Sequence, residues 1–116
     1  MINVLFILND APVAPGRSLN ALYLAGSMSL HASTYVRVFL LGAATACASR
    51  PRGLREHEES AALLAAIIGH GGEVRVCERC PEGRPGCAGD LIEGVSVGPL
   101  AELSRCVAEA DRLLVF

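Results

Sequence analysis

The chain has 116 residues, which is the length of one domain. Its net charge is −2, and all ten of its cationic side chains are arginines scattered among twelve acids, so no basic stripe indicates a nucleic-acid partner. Only 19% of the residues are charged, and the apolar share is high. A small monomer has difficulty covering so much apolar surface, so the composition favours a homo-oligomer.

The sequence also bears on the cellular compartment. No apolar stretch approaches the ~20 residues of a membrane helix, and the apolar run 2–8 has no basic leader, so we expect neither a membrane partner nor a signal peptide. Five cysteines are an odd number and too few for a disulfide scaffold. These features predict a cytoplasmic protein whose thiols are normally reduced.

Apolar runs and helical periodicities alternate along the chain. The first run ends at Asn9 and Asp10 and is typical of a strand buried on both faces. In chain order we predict strand 1–8, helix 18–30, strand 34–41, a short helix 42–48, helix 56–70, strand 73–77, a short strand within 91–97, helix 99–110 and strand 112–116. This alternation predicts an α/β protein with a parallel sheet and helices on both faces.

The segment Cys77-Glu78-Arg79-Cys80 lies where the third strand ends. The following residues, 81–87, contain two prolines and two glycines and cannot continue a regular element. Ligands and chemistry gather at the carboxyl ends of parallel strands, so thiols at this edge indicate sulfur, redox or metal chemistry. The breakers after Cys80 exclude a thioredoxin-type pair, because that pair opens a helix.

Simpler interpretations of these residues stay open. Cys77 and Cys80 could be incidental thiols at the end of a core strand. Alternatively, with Cys87 and either His57 or His70, they could bind zinc, although a second half-site is missing.

The remaining thiols and the two histidines have ordinary structural explanations. Cys47 and Cys106 lie in apolar helical segments and are predicted to be packing residues. His57 is expected in a solvated first helical turn, with an acid/base role as the alternative, and His70 at a helix end, where a cation suits the dipole.

Polar residues near the predicted edge are candidates for shaping a pocket. Asn9 and Asp10 follow strand one, although Asn-Asp-Ala-Pro is equally good turn chemistry. A reactive thiol needs some exposure and a lowered pKa. Arg75, Arg79 and Arg84 could supply the positive potential, which neighbouring glutamates at 73, 78 and 82 could cancel.

Six segments in chain order carry a family resemblance. They are Asn-Asp-Ala-Pro at 9–12, Arg-Ser-Leu-Asn-Ala-Leu at 17–22, Val-Arg-Val-Phe-Leu-Leu-Gly at 36–42, Val-Arg-Val-Cys-x-x-Cys at 74–80, Leu-Ile-Glu-Gly-Val at 91–95 and Glu-Ala-Asp-Arg-Leu-Leu-Val-Phe at 109–116. With this pattern the chain resembles the DsrE/DsrF-like family, in particular its YchN-like branch. The resemblance spans nearly the whole chain as a single domain.

The resemblance implies a three-layer α/β/α domain with a mainly parallel sheet of about five strands, assembled into trimers or hexamers. It also implies that Cys77 carries persulfide sulfur in a sulfur relay, with Cys80 as the second cysteine of the YchN-like branch. Arg84 and Gly86 loosely match an Arg-Gly that follows the pair in the family, whereas Pro85 and Cys87 depart from it.

Three functions are consistent with these sequence features. The first is a sulfur carrier or sulfurtransferase that needs no cofactor and exchanges sulfur with donor and acceptor proteins. The second is a non-catalytic oligomeric module of the same fold that binds a small ligand or partner. The third is a metal-binding protein that uses the Cys77/Cys80/Cys87 loop. For all three, the apolar helix segment 61–68 predicts a stable homo-oligomer, because a helix that is apolar nearly all round is covered on more than one side.

Overall fold

A computed structural model of the chain describes residues 1–13, 15–51, 53–77 and 90–116. In chain order the elements are strand β1 (Ile2–Leu8), helix α1 (Arg17–Ser29), strand β2 (Thr34–Leu40), a 3-10 helix (Gly42–Ala48), helix α2 (Arg55–Gly69), strand β3 (Glu73–Cys77), strand β4 (Ser96–Gly98), helix α3 (Leu100–Glu109) and strand β5 (Arg112–Val115). No helix of the described residues is long and apolar enough to cross a membrane.

The five strands form one sheet in the order β4-β3-β2-β1-β5. Every neighbouring pair of strands is parallel. The central pair aligns over seven residues, from Ile2 opposite Thr34 to Leu8 opposite Leu40. The predicted α/β fold with a parallel sheet of five strands is confirmed.

Two apolar layers lie on opposite faces of the sheet. Alternate strand residues such as Phe6 and Val38 pack against buried positions of α1 and α2, including Leu22 and Leu64. The intervening strand residues, such as Phe39, pack beneath α3 in a smaller cluster. Among the described residues, two α-helices therefore cover one face of the sheet and one α-helix covers the other.

The segment before β4 differs from the sequence-based expectation. The predicted strand lay within 91–97, but the structure begins β4 at Ser96. Leu91 instead forms an antiparallel bridge with Ser49, and the backbone N–H of Ile92 donates to the carbonyl oxygen of Ala48 at 2.9 Å. Gly94 then turns the chain with a φ of 92°. The pairing partner is far away in sequence, so local periodicity could not indicate it.

Helix α2 buries a narrower stripe than its apolar sequence suggests. Ala61, Leu64 and Ile67 are buried against the core. The exposed side of the same stretch carries the small residues Ala62 and Ala65, in addition to Ala66. Because these exposed side chains are single methyl groups, the outer face of α2 presents less apolar surface than its composition implies.

Candidate functional site

The carboxyl ends of all five strands meet at one edge of the sheet, because every strand pair is parallel. β3 ends there with Cys77, and its neighbour β4 ends with Gly98. These two residues are register partners, so their Cα atoms lie side by side. The candidate reactive thiol is thus on the second strand from the β4 edge, at the end of the sheet where ligands gather in α/β folds.

The Cys77 side chain belongs to the smaller apolar cluster under α3, together with Phe39 and Cys106. Only 6% of Cys77 is exposed. The sequence predicts a partly exposed thiol at Cys77, whereas the structure shows that this side chain is buried. The reason is strand alternation, which turns residue 77 toward the α3 face, where Leu103 packs against the same cluster.

The flank of Cys77 toward β4 is shaped by the start of α3. Gly98 contributes no side chain next to the thiol, and Pro99 forms the N-cap of α3 without a side-chain hydrogen bond. The first amide groups of an α-helix have no partner within the helix, and its positive end stabilises a nearby anion. Glu102 in the first turn opposes this effect in part.

Arg75 precedes Cys77 by two residues on the same face of β3, but its charge is balanced. Its guanidinium hydrogen-bonds Glu73 and lies 3.8 Å from a carboxylate oxygen of Glu102. The hydrogen bond with Glu73 raises the pKa of Arg75. Burial pushes the pKa of Glu73 upward, but hydrogen bonds from Arg75 and Tyr35 outweigh burial and lower it. In the described part of the site, the positive charge of Arg75 beside the thiol is therefore offset by the negative charges of Glu73 and Glu102.

Asn9 and Asp10 lie at the same edge but serve other contacts. The side-chain amide of Asn9 donates to the carbonyl oxygen of Phe116 at 3.0 Å. Asp10 accepts two hydrogen bonds from the guanidinium of Arg17, at 2.8 and 3.1 Å. β2 separates β1 from β3, which places these residues two strand spacings, about 10 Å, from Cys77.

The other candidate residues of the cysteine segment, Arg79, Cys80, Arg84 and Cys87, lie outside the described residues. Cys47 and Cys106 are buried, as predicted, with exposed fractions of 0% and 2%. Burial raises the pKa of the Cys47 thiol to about 12, which makes it a poor nucleophile.

The two histidines considered as zinc ligands are held apart by the fold. His57 lies in the first turn of α2, and His70 caps the other end of the same helix. Nδ1 of His70 lies 3.1 Å from the hydroxyl oxygen of Ser29, which in turn donates to the carbonyl oxygen of Gly26. Within the ranges that the structure describes, no three His, Cys, Asp or Glu side chains are grouped to hold a metal ion.

A cavity of about 400 Å³ opens at the same end of the sheet, on the α2 side. Ala43 and Ala46 of the 3-10 helix line it, together with His57 and, across from them, Arg50 and Asp90. Of the cavity residues just named, the sequence singled out only His57 as a candidate functional residue. Only the tertiary pairing of segment 90–92 with segment 48–50 brings Asp90 into the cavity wall.

Comparison with known proteins places this geometry in a family. The chain is 28% identical over 117 residues to protein YchN of Escherichia coli K12 and of Shigella flexneri, with both chains covered in full. The crystal structure of the Escherichia coli YchN protein superposes with a TM-score of 0.87 at 27% identity, again over the whole of both chains. The sequence profile of one family matches residues 3–116. With the cysteine-terminated third strand in a five-stranded parallel sheet, this chain belongs to the DsrE/DsrF-like family.

Proposed function

We propose that this protein relays sulfur as a persulfide on Cys77. The single observation that carries the proposal is the position of Cys77, which ends β3 beside Gly98 and the start of α3. Membership of the DsrE/DsrF-like family is consistent with a sulfur-relay role. The proposal makes the protein a carrier or sulfurtransferase that needs no cofactor.

The transfer is a pair of displacements at sulfur. The Cys77 thiolate attacks the outer sulfur of a donor persulfide, a new S–S bond forms at Cys77, and the donor leaves as a thiolate. An acceptor thiolate then attacks the outer sulfur on Cys77 and restores the Cys77 thiolate. Each step breaks one S–S bond and forms one, so no external oxidant or reductant is needed.

Cys80 is proposed as the resolving thiol. If its thiolate attacks Sγ of a persulfidated Cys77, a disulfide forms between the two cysteines and hydrosulfide leaves. In that step the Cys80 thiolate is oxidised to the disulfide level and the outer sulfur is reduced to hydrosulfide, while Sγ of Cys77 keeps its oxidation state, so the electrons balance. This outcome competes with delivery to an acceptor.

The covered position of Cys77 suits a carrier. A persulfide exposed to solution is lost to free thiols, whereas Cys77 is only 6% exposed. The flank at Gly98 is covered by its neighbours, since a Cβ added there would lie 3.3 Å from a guanidinium nitrogen of Arg75 and 3.6 Å from a side-chain carbon of Glu102.

Assembly into a homo-oligomer, a trimer or hexamer by family resemblance, is part of the proposal. The face covered by α3 alone exposes larger apolar side chains than the outer side of α2 does. They include Val107 of α3 and two residues of the edge strand β5, Leu113 and Val115, which are 48% and 61% exposed. We infer that a second copy of this chain covers the α3–β5 face, because an apolar patch on an edge strand is a surface that proteins normally protect.

Sulfur loading tests the relay directly. The reduced protein is incubated with a small-molecule persulfide donor, freed of excess donor, and weighed by intact mass spectrometry. Wild type and Cys106→Ser are expected to gain the mass of sulfur, and Cys77→Ser is not. Loading of Cys77→Ser at the wild-type level would overturn the proposal. No loading of any form would favour a binding module, and metal that co-purifies and depends on Cys77 would favour a metal protein.

A further inference from the structure

The cavity on the α2 side lies on the opposite side of the sheet from the Cys77 side chain. Cys77 faces the α3 side of the sheet, whereas the cavity is lined by Ala43 and Ala46 of the 3-10 helix and by Leu54 and His57 at the start of α2. Its volume of about 400 Å³ falls within the range of small-molecule sites. The sulfur relay proposed above does not use this space.

The wall of the cavity is apolar because small residues line it. Ala11, Ala43 and Ala46 each contribute a methyl group where a larger side chain would fill the space. Leu54, which is 57% exposed, closes one side. An apolar wall of this kind favours an apolar molecule, because contact removes the apolar surfaces of both from water.

The polar groups in the wall already have partners. The Ser49 hydroxyl donates to the carbonyl oxygen of Thr45, and Ser49 is only 6% exposed. Thr45 is nearly fully buried, and it too takes part in further interactions. No buried charge in this described part of the wall requires an ionic ligand.

The charges at the rim oppose one another. Arg50 and Asp90 form an ion pair of 3.9 Å, and the backbone N–H of Arg50 donates to the carbonyl oxygen of Asp90 at 2.8 Å. This backbone bond fixes the rim, while the Arg50 side chain, 66% exposed, stays largely in water. Among the described residues of the mouth, one positive and one negative group favour a ligand of neither sign. His57 offers a ring nitrogen for a hydrogen bond.

We propose that this cavity binds a small uncharged molecule with an apolar body and a hydroxyl group that hydrogen-bonds His57. Shape and apolar contact provide the affinity. The two opposite charges at the rim neither repel nor favour a ligand of either charge. The site is independent of Cys77, so Cys77→Ser is expected to bind the ligand as the wild type does.

Three probes of one size and different charge test the ligand class: benzyl alcohol, benzoate and benzylamine. Binding is followed through the NMR signals of alanine methyl groups. Benzyl alcohol is expected to shift the Ala43 and Ala46 methyl signals saturably, with a Kd on the order of 1 mM for so small a molecule. Absence of a saturable shift, or binding of benzoate or benzylamine about tenfold tighter than the alcohol, would overturn the proposal.

A cavity-filling variant locates the site. Ala46→Leu places a larger side chain in the cavity and is expected to weaken benzyl alcohol binding by about tenfold or more. Ala62→Leu, on the exposed side of α2, is the matched control and should bind as the wild type does. Thermal unfolding checks that each variant is folded, and Ala43→Leu replaces Ala46→Leu if the latter is not. Wild-type affinity in a folded cavity-filling variant would contradict the assignment.

Discussion

At the scale of single residues, the three described thiols differ in what surrounds them. Cys47 is enclosed by the main core, Cys106 lies on the buried face of α3, and Cys77 is the last residue of β3, in the same cluster as Cys106. The sequence identified Cys77 because a β-branched run stops there and a run of breakers follows. It did not reveal that the thiol would be covered, since the packing of α3 over β3 is a contact between segments far apart in the chain.

The order of thiol alkylation follows from these surroundings. In the native protein at pH 8 we expect iodoacetamide to modify Cys77 before Cys106, and Cys47 only after unfolding. With a pKa of about 12, Cys47 is ionised to roughly one part in 10⁴ at that pH, and it has no exposed surface. Timed alkylation with mass spectrometry measures the order, and rapid labelling of native Cys47 would contradict it.

At the scale of elements, the sequence predicted most strands and helices because each is a local pattern. The bounds of α1, α2 and α3 differ from the prediction by one residue at each end. β4 occupies only the last two residues of the predicted window 91–97 and extends one residue beyond it, because its partner in the sheet is β3 and residues 91 and 92 pair with the end of the 3-10 helix. Local periodicity carries no information on such pairings.

The turn between α2 and β3 requires glycine at one position for steric reasons. A Cβ on Gly72 would lie 2.6 Å from a side-chain carbon of Ile67 and 2.9 Å from the carbonyl oxygens of Ile67 and Val36. Gly72→Ala is therefore expected to lower the free energy of unfolding by about 1–3 kcal/mol, as overpacking does. Urea unfolding measures the change.

Gly69 is the matched control for that substitution. It ends α2, and a Cβ added there would meet no atom within 4 Å, so Gly69→Ala should leave stability unchanged or raise it by up to about 1 kcal/mol. Equal destabilisation by the two substitutions would show that close approach at Gly72 is not the cause.

The acidic partner of Arg75 links stability to pH. Because the folded pKa of Glu73 is below its unfolded value, its contribution is present above a pH of about 4.3 and is lost as the pH falls through the folded pKa. Glu73→Gln is expected to lower the free energy of unfolding by about 1 kcal/mol at pH 7 and by less at pH 3. Glu93→Gln, on an exposed residue, is the control. A loss of equal size at both pH values would contradict the ion-pair explanation.

At the scale of the whole molecule, the two faces of the sheet are unequally covered. The composition predicted that apolar surface would remain for a partner subunit, and the apolar segment 61–68 placed that surface on the outer side of α2. On the outer side of α2 the structure exposes the alanines at 62, 65 and 66 and leaves Leu63 and Ile68 partly buried, whereas Leu113 and Val115 are exposed at the β5 edge. The sequence could not choose between these faces, because which side of a helix meets the sheet is settled by packing.

Light scattering after size-exclusion chromatography tests the assembly. We expect a mass that is a multiple of 12.1 kDa at low micromolar concentration. Val115→Glu should shift it toward the monomer, because an unpaired carboxylate would be buried in the interface. Leu30→Glu, at an equally exposed position at the end of α1, should not. A wild-type monomer would contradict the proposed assembly.

The central claim is that Cys77 holds the transferred sulfur, and site-resolved peptide mapping tests it most directly. Trypsin cleaves after Arg75 and Arg79, so Cys77 is released in peptide 76–79, apart from the peptide that begins at Cys80. After persulfide loading and alkylation of the native protein, the added sulfur is predicted on peptide 76–79. Sulfur found on Cys80, Cys106 or Cys47 with peptide 76–79 unmodified would contradict the account.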